Sequence, residues 1–295
     1  MRNKGFFWTL LGLMVLILLI FKLYGEARER EPASSVAYKP VAAVSIVPQK
    51  TLIEAIAGDR VDVVVMIPPG SSPETYEPSP REMENFNRAG VYFTIGVPVE
   101  ETSILPQAEL SRRRIVALHK EAVGQYPDVL FPDGSRDPHI WLSPRRVQVM
   151  AEVMAEEMGR LDPAHADLYK EKAREYTAEL AALDEELQAL FSALPKKKFM
   201  VFHPAFGYLA ADYGLEMYAL EEEGKEARMR SLRTMIDFAR AEGIKTIFCS
   251  DEHSSRQAEA FAEEIRGKVV VLSPLAEDYI ENMREMAALI AGELR

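Results

Sequence analysis

Val61-Asp62-Val63-Val64-Val65-Met66-Ile67 is the stretch on which the fold turns. Apart from Asp62 it is an apolar run rich in β-branched residues. A half-solvated strand would alternate apolar and polar positions. A run like this one belongs to a strand covered on both faces, as in a parallel sheet flanked by helices. Working outward, the same grammar repeats. Residues 41–47 are a short apolar run, and residues 50–57 read as a helix ended by Gly58. Residues 81–89 are helical in pattern and close at Gly90, residues 91–95 form a strand, and residues 114–118 another. Strands alternating with helices predict an α/β lobe over residues 41–161.

Beyond it the pattern changes. Asp162 suits an N-cap and Pro163 the first helical position. Tyr176, Leu180, Leu183, Leu187, Leu190 and Leu194 then recur at spacings of four and three, the stripe of a one-sided helix. Pro195 stops it. A helix over residues 162–194 would span roughly 45 Å at 1.5 Å per residue, long enough to pack along two lobes. After it the grammar returns. Strands are expected at 199–202, 216–220, 245–249 and 268–272, with helices at 205–213, 231–242, 255–265 and 278–294. The expected architecture is therefore α/β: two lobes, each with a mostly parallel four-stranded sheet flanked by helices, joined by one long rigid helix. The second lobe covers residues 195–295.

The totals agree. A chain of 295 residues exceeds the usual size of a single core, so two domains are expected. Its 48% apolar and 27% charged residues are those of a globular protein, and a net charge of -11 argues against nucleic-acid partners. The single cysteine, Cys249, rules out a disulfide framework and a cysteine-type zinc site. It lies in an apolar strand and reads as a small buried hydrophobe.

The N-terminus carries a targeting pattern. Arg2 and Lys4 precede an apolar run over residues 6–21, interrupted by Thr9 and Gly12. The run is long for a signal-peptide core and short for a comfortable membrane span. Residues 1–25 are thus expected to be an uncleaved signal anchor or a signal peptide, with residues 26–40 as a tether. Either way the rest of the chain is extracytoplasmic, anchored to the membrane by residues 6–21 if the segment is retained.

Residues able to bind a metal fall where strands end. Glu74 lies beyond the run at 61–67, in Pro69-Gly70-Ser71-Ser72-Pro73-Glu74-Thr75-Tyr76-Glu77-Pro78, whose prolines order it. His139 lies in Asp137-Pro138-His139-Ile140-Trp141-Leu142-Ser143-Pro144, held between two prolines ahead of a helix. His203 follows the strand at 199–202, and Asp251, Glu252 and His253 follow the strand at 245–249. Ligands of open parallel sheets bind outside the carboxyl ends of the strands. Two lobes facing each other with those ends would bring imidazoles and carboxylates around one small cation. Glu77 reads as a brace of its loop, and His119 and His165 as exposed and unrelated to the site.

The two motifs just quoted, with Phe202-His203-Pro204-Ala205-Phe206 and Pro274-Leu275-Ala276-Glu277-Asp278-Tyr279-Ile280-Glu281-Asn282-Met283, resemble those of metal-binding receptors of ABC importers. These are the zinc- and manganese-specific solute-binding proteins related to streptococcal metal-binding adhesins. The resemblance covers almost everything after the tether. It implies two α/β lobes on a rigid helix, one metal in the cleft, delivery to a membrane permease, and a monomer. Members usually carry His where this chain has Glu74, and a carboxylate after the strand at 245–249. Here the resemblance points to Glu252, with Asp251 the less favoured choice.

The expected metal ligands are thus Glu74, His139, His203 and Glu252. Two carboxylates and two imidazoles make a hard donor set, which leaves zinc and manganese evenly matched as cargo. A secreted metal-dependent hydrolase using the same cleft, or a surface adhesin, is the alternative function.

Overall fold

The computed structural model describes residue 14 and residues 39–108, 114–221, 229–253 and 256–295, without the side chains of 229–231 and 253. Apart from Met14, the apolar run at 6–21 lies outside the described residues, as does the tether up to residue 38. Among the described residues, no helix is long and apolar enough to cross a membrane.

Residues Pro40–Arg295 form one unit containing two sheets. The first holds β1 (Val41–Val44), β2 (Asp62–Val65), β3 (Val91–Thr94) and β4 (Arg114–Ala117), in the order β2-β1-β3-β4. Its helices are α1 (Val47–Ala57), α2 (Pro80–Phe86), α3 (Leu118–Val123) and α4 (Pro144–Leu161). The long helix α5 (Ala166–Ser192) follows. The second sheet holds β5 (Lys198–Val201), β6 (Glu216–Ala219), β7 (Thr246–Ser250) and β8 (Lys268–Leu272), in the matching order β6-β5-β7-β8. Its helices are α6 (Gly207–Tyr213), α7 (Met229–Glu242), α8 (Arg256–Glu264) and α9 (Tyr279–Glu293). Every strand pair is parallel. The central strands β1, β3 and β7 are buried along their whole length, as unbroken apolar runs require.

The long helix has 27 residues, about 40 Å of axis. Its buried stripe is Tyr169, Ala173, Tyr176, Leu180, Leu183, Leu187 and Phe191. That stripe belongs to one continuous core, which contains Val44 and Phe93 of the first sheet together with Phe199, Phe248 and Met286 of the second lobe. A smaller cluster, which includes Met200, Ile247, Cys249 and Phe261, covers the other face of the second sheet. Cys249 is there the small buried hydrophobe that its apolar setting predicts.

One local expectation fails. Asp162 does not cap the long helix. It ends α4, Pro163–His165 form a single 3-10 turn, and α5 starts at Ala166. The chain must reverse here so that α5 can pack along α4. The Asp162 carboxylate instead accepts the Tyr169 hydroxyl at 2.6 Å and so braces the reversal.

Candidate metal centre

In each sheet the chain leaves a central strand to one side and returns on the other, so strand order reverses beside β1 and beside β5. The crevice outside the carboxyl ends at such a point is where open parallel sheets receive ligands. His203 lies two residues beyond β5, Glu74 in the loop after β2, and His139 in the connection between α3 and α4.

The Glu74 loop is rigid for reasons visible in its residues. Pro68, Pro69, Pro73, Pro78 and Pro80 fix backbone angles, and Gly70 takes a positive φ of 78° that a side chain would resist. Ser72 Oγ donates to Glu74 Oε2 at 2.9 Å and accepts the Glu74 amide at 3.2 Å. The loop closes onto α2 through a capping box: Ser79 Oγ accepts the Glu82 amide, and the Glu82 carboxylate accepts the Ser79 amide at 2.6 Å. Tyr76 donates its hydroxyl to the same carboxylate at 2.7 Å. Glu82 is therefore the brace; Glu77 is exposed.

His139 is positioned by its own loop. Asp137 is fully buried, and its Oδ1 accepts the His139 amide at 2.9 Å and pairs with the ring Nδ1 at 2.8 Å. Gly207 makes room for this carboxylate, because a Cβ there would collide with Asp137 Oδ2. Two residues on, Trp141 Nε1 donates to the Pro274 carbonyl at 3.0 Å, and the Trp141 carbonyl accepts the Tyr279 hydroxyl at 2.8 Å. The His139 loop is thus tied across the cleft to the second lobe.

His203 has the matching arrangement. Its Nδ1 lies 2.9 Å from Glu221 Oε2, just beyond β6. With Nδ1–H given to a carboxylate on each ring, both Nε2 atoms are left with lone pairs, the state a metal needs.

The three candidate donor atoms converge. His203 Nε2 is 3.0 Å from Glu74 Oε1 and 3.1 Å from His139 Nε2, and His139 Nε2 is 3.6 Å from Glu74 Oε1. A tetrahedral ion with bonds of about 2.05 Å sets its ligands about 3.3 Å apart. Both imidazoles are 5% exposed, so the donors are withdrawn from bulk water. Burial by itself lowers the His203 pKa, but Glu221 and Glu74 outweigh it and push the ring up to about 9. At His139, burial likewise opposes the charge, and Asp137 with Glu74 reverses the balance, so its pKa is also raised. The cluster attracts positive charge.

This fold is shared with known proteins. The family model for the periplasmic component A of zinc-uptake complexes matches residues 43–292. The chain belongs to that family. Its relatives include the high-affinity zinc uptake system protein ZnuA of Bacillus subtilis, 27% identical over 285 residues, with 91% of this chain and 88% of that protein covered. A zinc-bound crystal structure of a ZnuA deletion mutant is 34% identical with a TM-score of 0.80, covering 86% of this chain and 98% of the other. The laminin-binding protein Lmb of Streptococcus agalactiae, described as a bifunctional adhesin and metal transporter, is 26% identical with a TM-score of 0.77, covering 87% and 99%.

Within this zinc-uptake family member, the remaining expected ligands lie apart from the trio. Glu74, His139 and His203 form the group whose donor atoms all lie within 4.8 Å of one another, and Glu252 is not in it. Glu252 lines a small cavity against Glu74, His139, His203 and Trp141. Burial, then a hydrogen bond that its protonated form donates to Asp251, raises the Glu252 carboxyl well above the ordinary carboxylate range. Asp251 is exposed, and the His253 side chain lies outside the described residues. His119 is not the exposed residue its charged surroundings predict: it is partly buried and lines a large cavity beside the cluster. Sequence reasoning missed Glu221. The signal was present, a carboxylate at the carboxyl end of a strand, the same rule that found the others.

Proposed function

We propose that this protein captures a divalent transition metal outside the cytoplasm with Glu74, His139 and His203 and delivers it to the membrane permease of an ABC importer. The observation that carries the reading is the trio itself. Three donors from separate loops meet at the spacing of a tetrahedron's edges, and each imidazole has its far nitrogen on a buried or half-buried carboxylate. Nothing in that arrangement requires a substrate other than the ion. Family membership favours carriage over hydrolysis. Glu252 becomes the fourth ligand when the arriving ion displaces its proton, because a dication beside the carboxyl overturns the effect of burial. If the N-terminal segment is retained, residues 6–21 hold the monomer at the membrane surface, close to the permease.

Two imidazoles with one or two carboxylates accept zinc or manganese. Zinc has the higher intrinsic affinity, while carboxylates lower the discrimination against harder ions. Calorimetric titration of chelator-stripped protein with Zn²⁺ and with Mn²⁺, alongside His139→Ala, tests the reading. One ion per chain, lost in the variant, is the expected result. Absence of stoichiometric binding of either ion refutes it.

A further inference from the structure

The metal cluster forms one end of a cavity of about 520 Å³. Six waters occupy roughly 180 Å³ at about 30 Å³ each, so the space exceeds what even a fully hydrated ion fills. It is in the range of small-molecule sites. Beyond Glu74, His139 and His203, its wall carries Arg136, Lys120 and His119, with an apolar lining that includes Phe131 and Ile115.

The polar part of this wall is only partly satisfied. The Arg136 guanidinium donates to two carbonyls, those of Gly96 and of Asp137 at 3.2 Å, and has no carboxylate partner among the described ion pairs. His119 Nδ1 is buried without a hydrogen-bond partner among the described residues. Burial, then Arg136 and Lys120, hold this ring neutral, with a pKa of about 4. Gly96, at φ 88°, gives both groups their space, since a Cβ there would strike Arg136 and the His119 ring.

Three acids also line the cavity. Glu74 belongs to the metal cluster. Glu100 is buried and accepts from Ser45 Oγ and from the Ile95 and Gly96 amides at 2.7 Å, and burial pushes its pKa up to about 7. Glu101 is exposed. None of them forms an ion pair with Arg136 among the described residues, though the Arg136 charge reaches Glu100 and opposes the effect of its burial. A guanidinium held only by two carbonyls, an apolar wall, and a metal at one end describe one class of guest.

We propose that the cavity binds a small organic carboxylate travelling as the metal's co-ligand, with a carboxylate on Arg136 and its metal-bound end facing Glu74, His139 and His203. The inference rests on the metal site proposed above. It makes the cargo a chelate: the co-ligand adds a fifth donor to those of Glu74, His139, His203 and Glu252, and its free carboxylate hydrogen-bonds to the Arg136 guanidinium.

The test uses full-length protein, stripped of metal and equilibrated with radiolabelled citrate, with and without Zn²⁺. Retention of one citrate per chain only when zinc is present supports the proposal. Arg136→Gln should reduce retention at least tenfold. Ile115→Glu places a repelling carboxylate on the same wall from an edge strand, and should do the same while zinc affinity without citrate changes less than threefold. This second variant decides the matter if Arg136→Gln misfolds. Zinc binding at full affinity with no citrate retained, or retention unchanged in Ile115→Glu, overturns the proposal. So does citrate that merely strips the zinc. Failure to bind zinc at all overturns the metal site instead, a separate outcome.

Discussion

His139 Nε2 from the first lobe and His203 Nε2 from the second lie 3.1 Å apart. Two imidazole nitrogens at that distance need one hydrogen between them, since two lone pairs or two N–H groups would repel, and with both Nδ1–H groups held by carboxylates that hydrogen makes the metal-free pair cationic. Glu74 Oε1 sits against the pair and favours the same charge. Without metal a proton fills the role; with metal the ion does. Binding is therefore an exchange.

The exchange has a pH signature. The folded pKa of His203, about 9, lies above the ordinary histidine value of 6.5, so metal-free folded protein holds a proton that the unfolded chain has lost. The stabilisation is fully present below pH 6.5 and disappears as pH rises through about 9. A shift of this size corresponds to something on the order of 3 kcal/mol. The Tm of stripped protein should fall across that window, while apparent zinc affinity rises by up to about tenfold per pH unit as the competing proton is lost. A Tm independent of pH from 6.5 to 9 would contradict the assignment.

Glu74 sets selectivity. Glu74→His replaces a hard donor by a borderline one and should move the Zn²⁺ over Mn²⁺ preference toward zinc. His139→Ala removes a ligand outright and should cost at least about 100-fold in affinity for both ions, more than the roughly 10–100-fold typical of outer residues. Competition titration against a chromophoric chelator measures both effects.

Asp137 and Glu221 orient the rings without touching the ion. Asp137→Asn and Glu221→Gln should each weaken metal binding by about 10–100-fold. An amide can still accept Nδ1–H but carries no charge, so His203 in Glu221→Gln should also titrate lower. NMR of the imidazole resonances in stripped protein reads that shift, which a merely structural role for Glu221 would not produce.

Much of this was legible in the sequence. The strands announced themselves because two covered faces demand unbroken apolar runs, as at Val63–Val65 and Ile247–Cys249. His139 and His203 stood out because prolines follow or flank them and strand ends are where ligands bind. The start of the long helix was misread because Asp162-Pro163 satisfies the local rule for an N-terminus, while the reversal between α4 and α5 is decided by their packing. Glu252 was legible as a carboxylate following β7, and it lines a small cavity beside the trio. Glu221 was hidden because its role depends on a ring 18 positions earlier.

The lobes are also joined by charge. Arg146 on α4 donates to Asp212 on α6 at 2.8 Å, with both side chains nearly buried. Ser143 donates to the same carboxylate at 2.5 Å. Asp212→Ala would leave a buried guanidinium uncompensated and should cost about 3–5 kcal/mol in denaturant unfolding. Lys172→Ala, which breaks an exposed pair with Glu175, should leave the denaturation midpoint unchanged.

The continuous core through α5 has a practical consequence for anyone building a reporter from this protein. Fluorophores fixed to the backs of the two lobes would change their separation very little on loading, because the same buried stripe serves both halves. A useful signal would have to come from a dye placed beside Trp141 or on the Glu74 loop, where occupancy is felt directly.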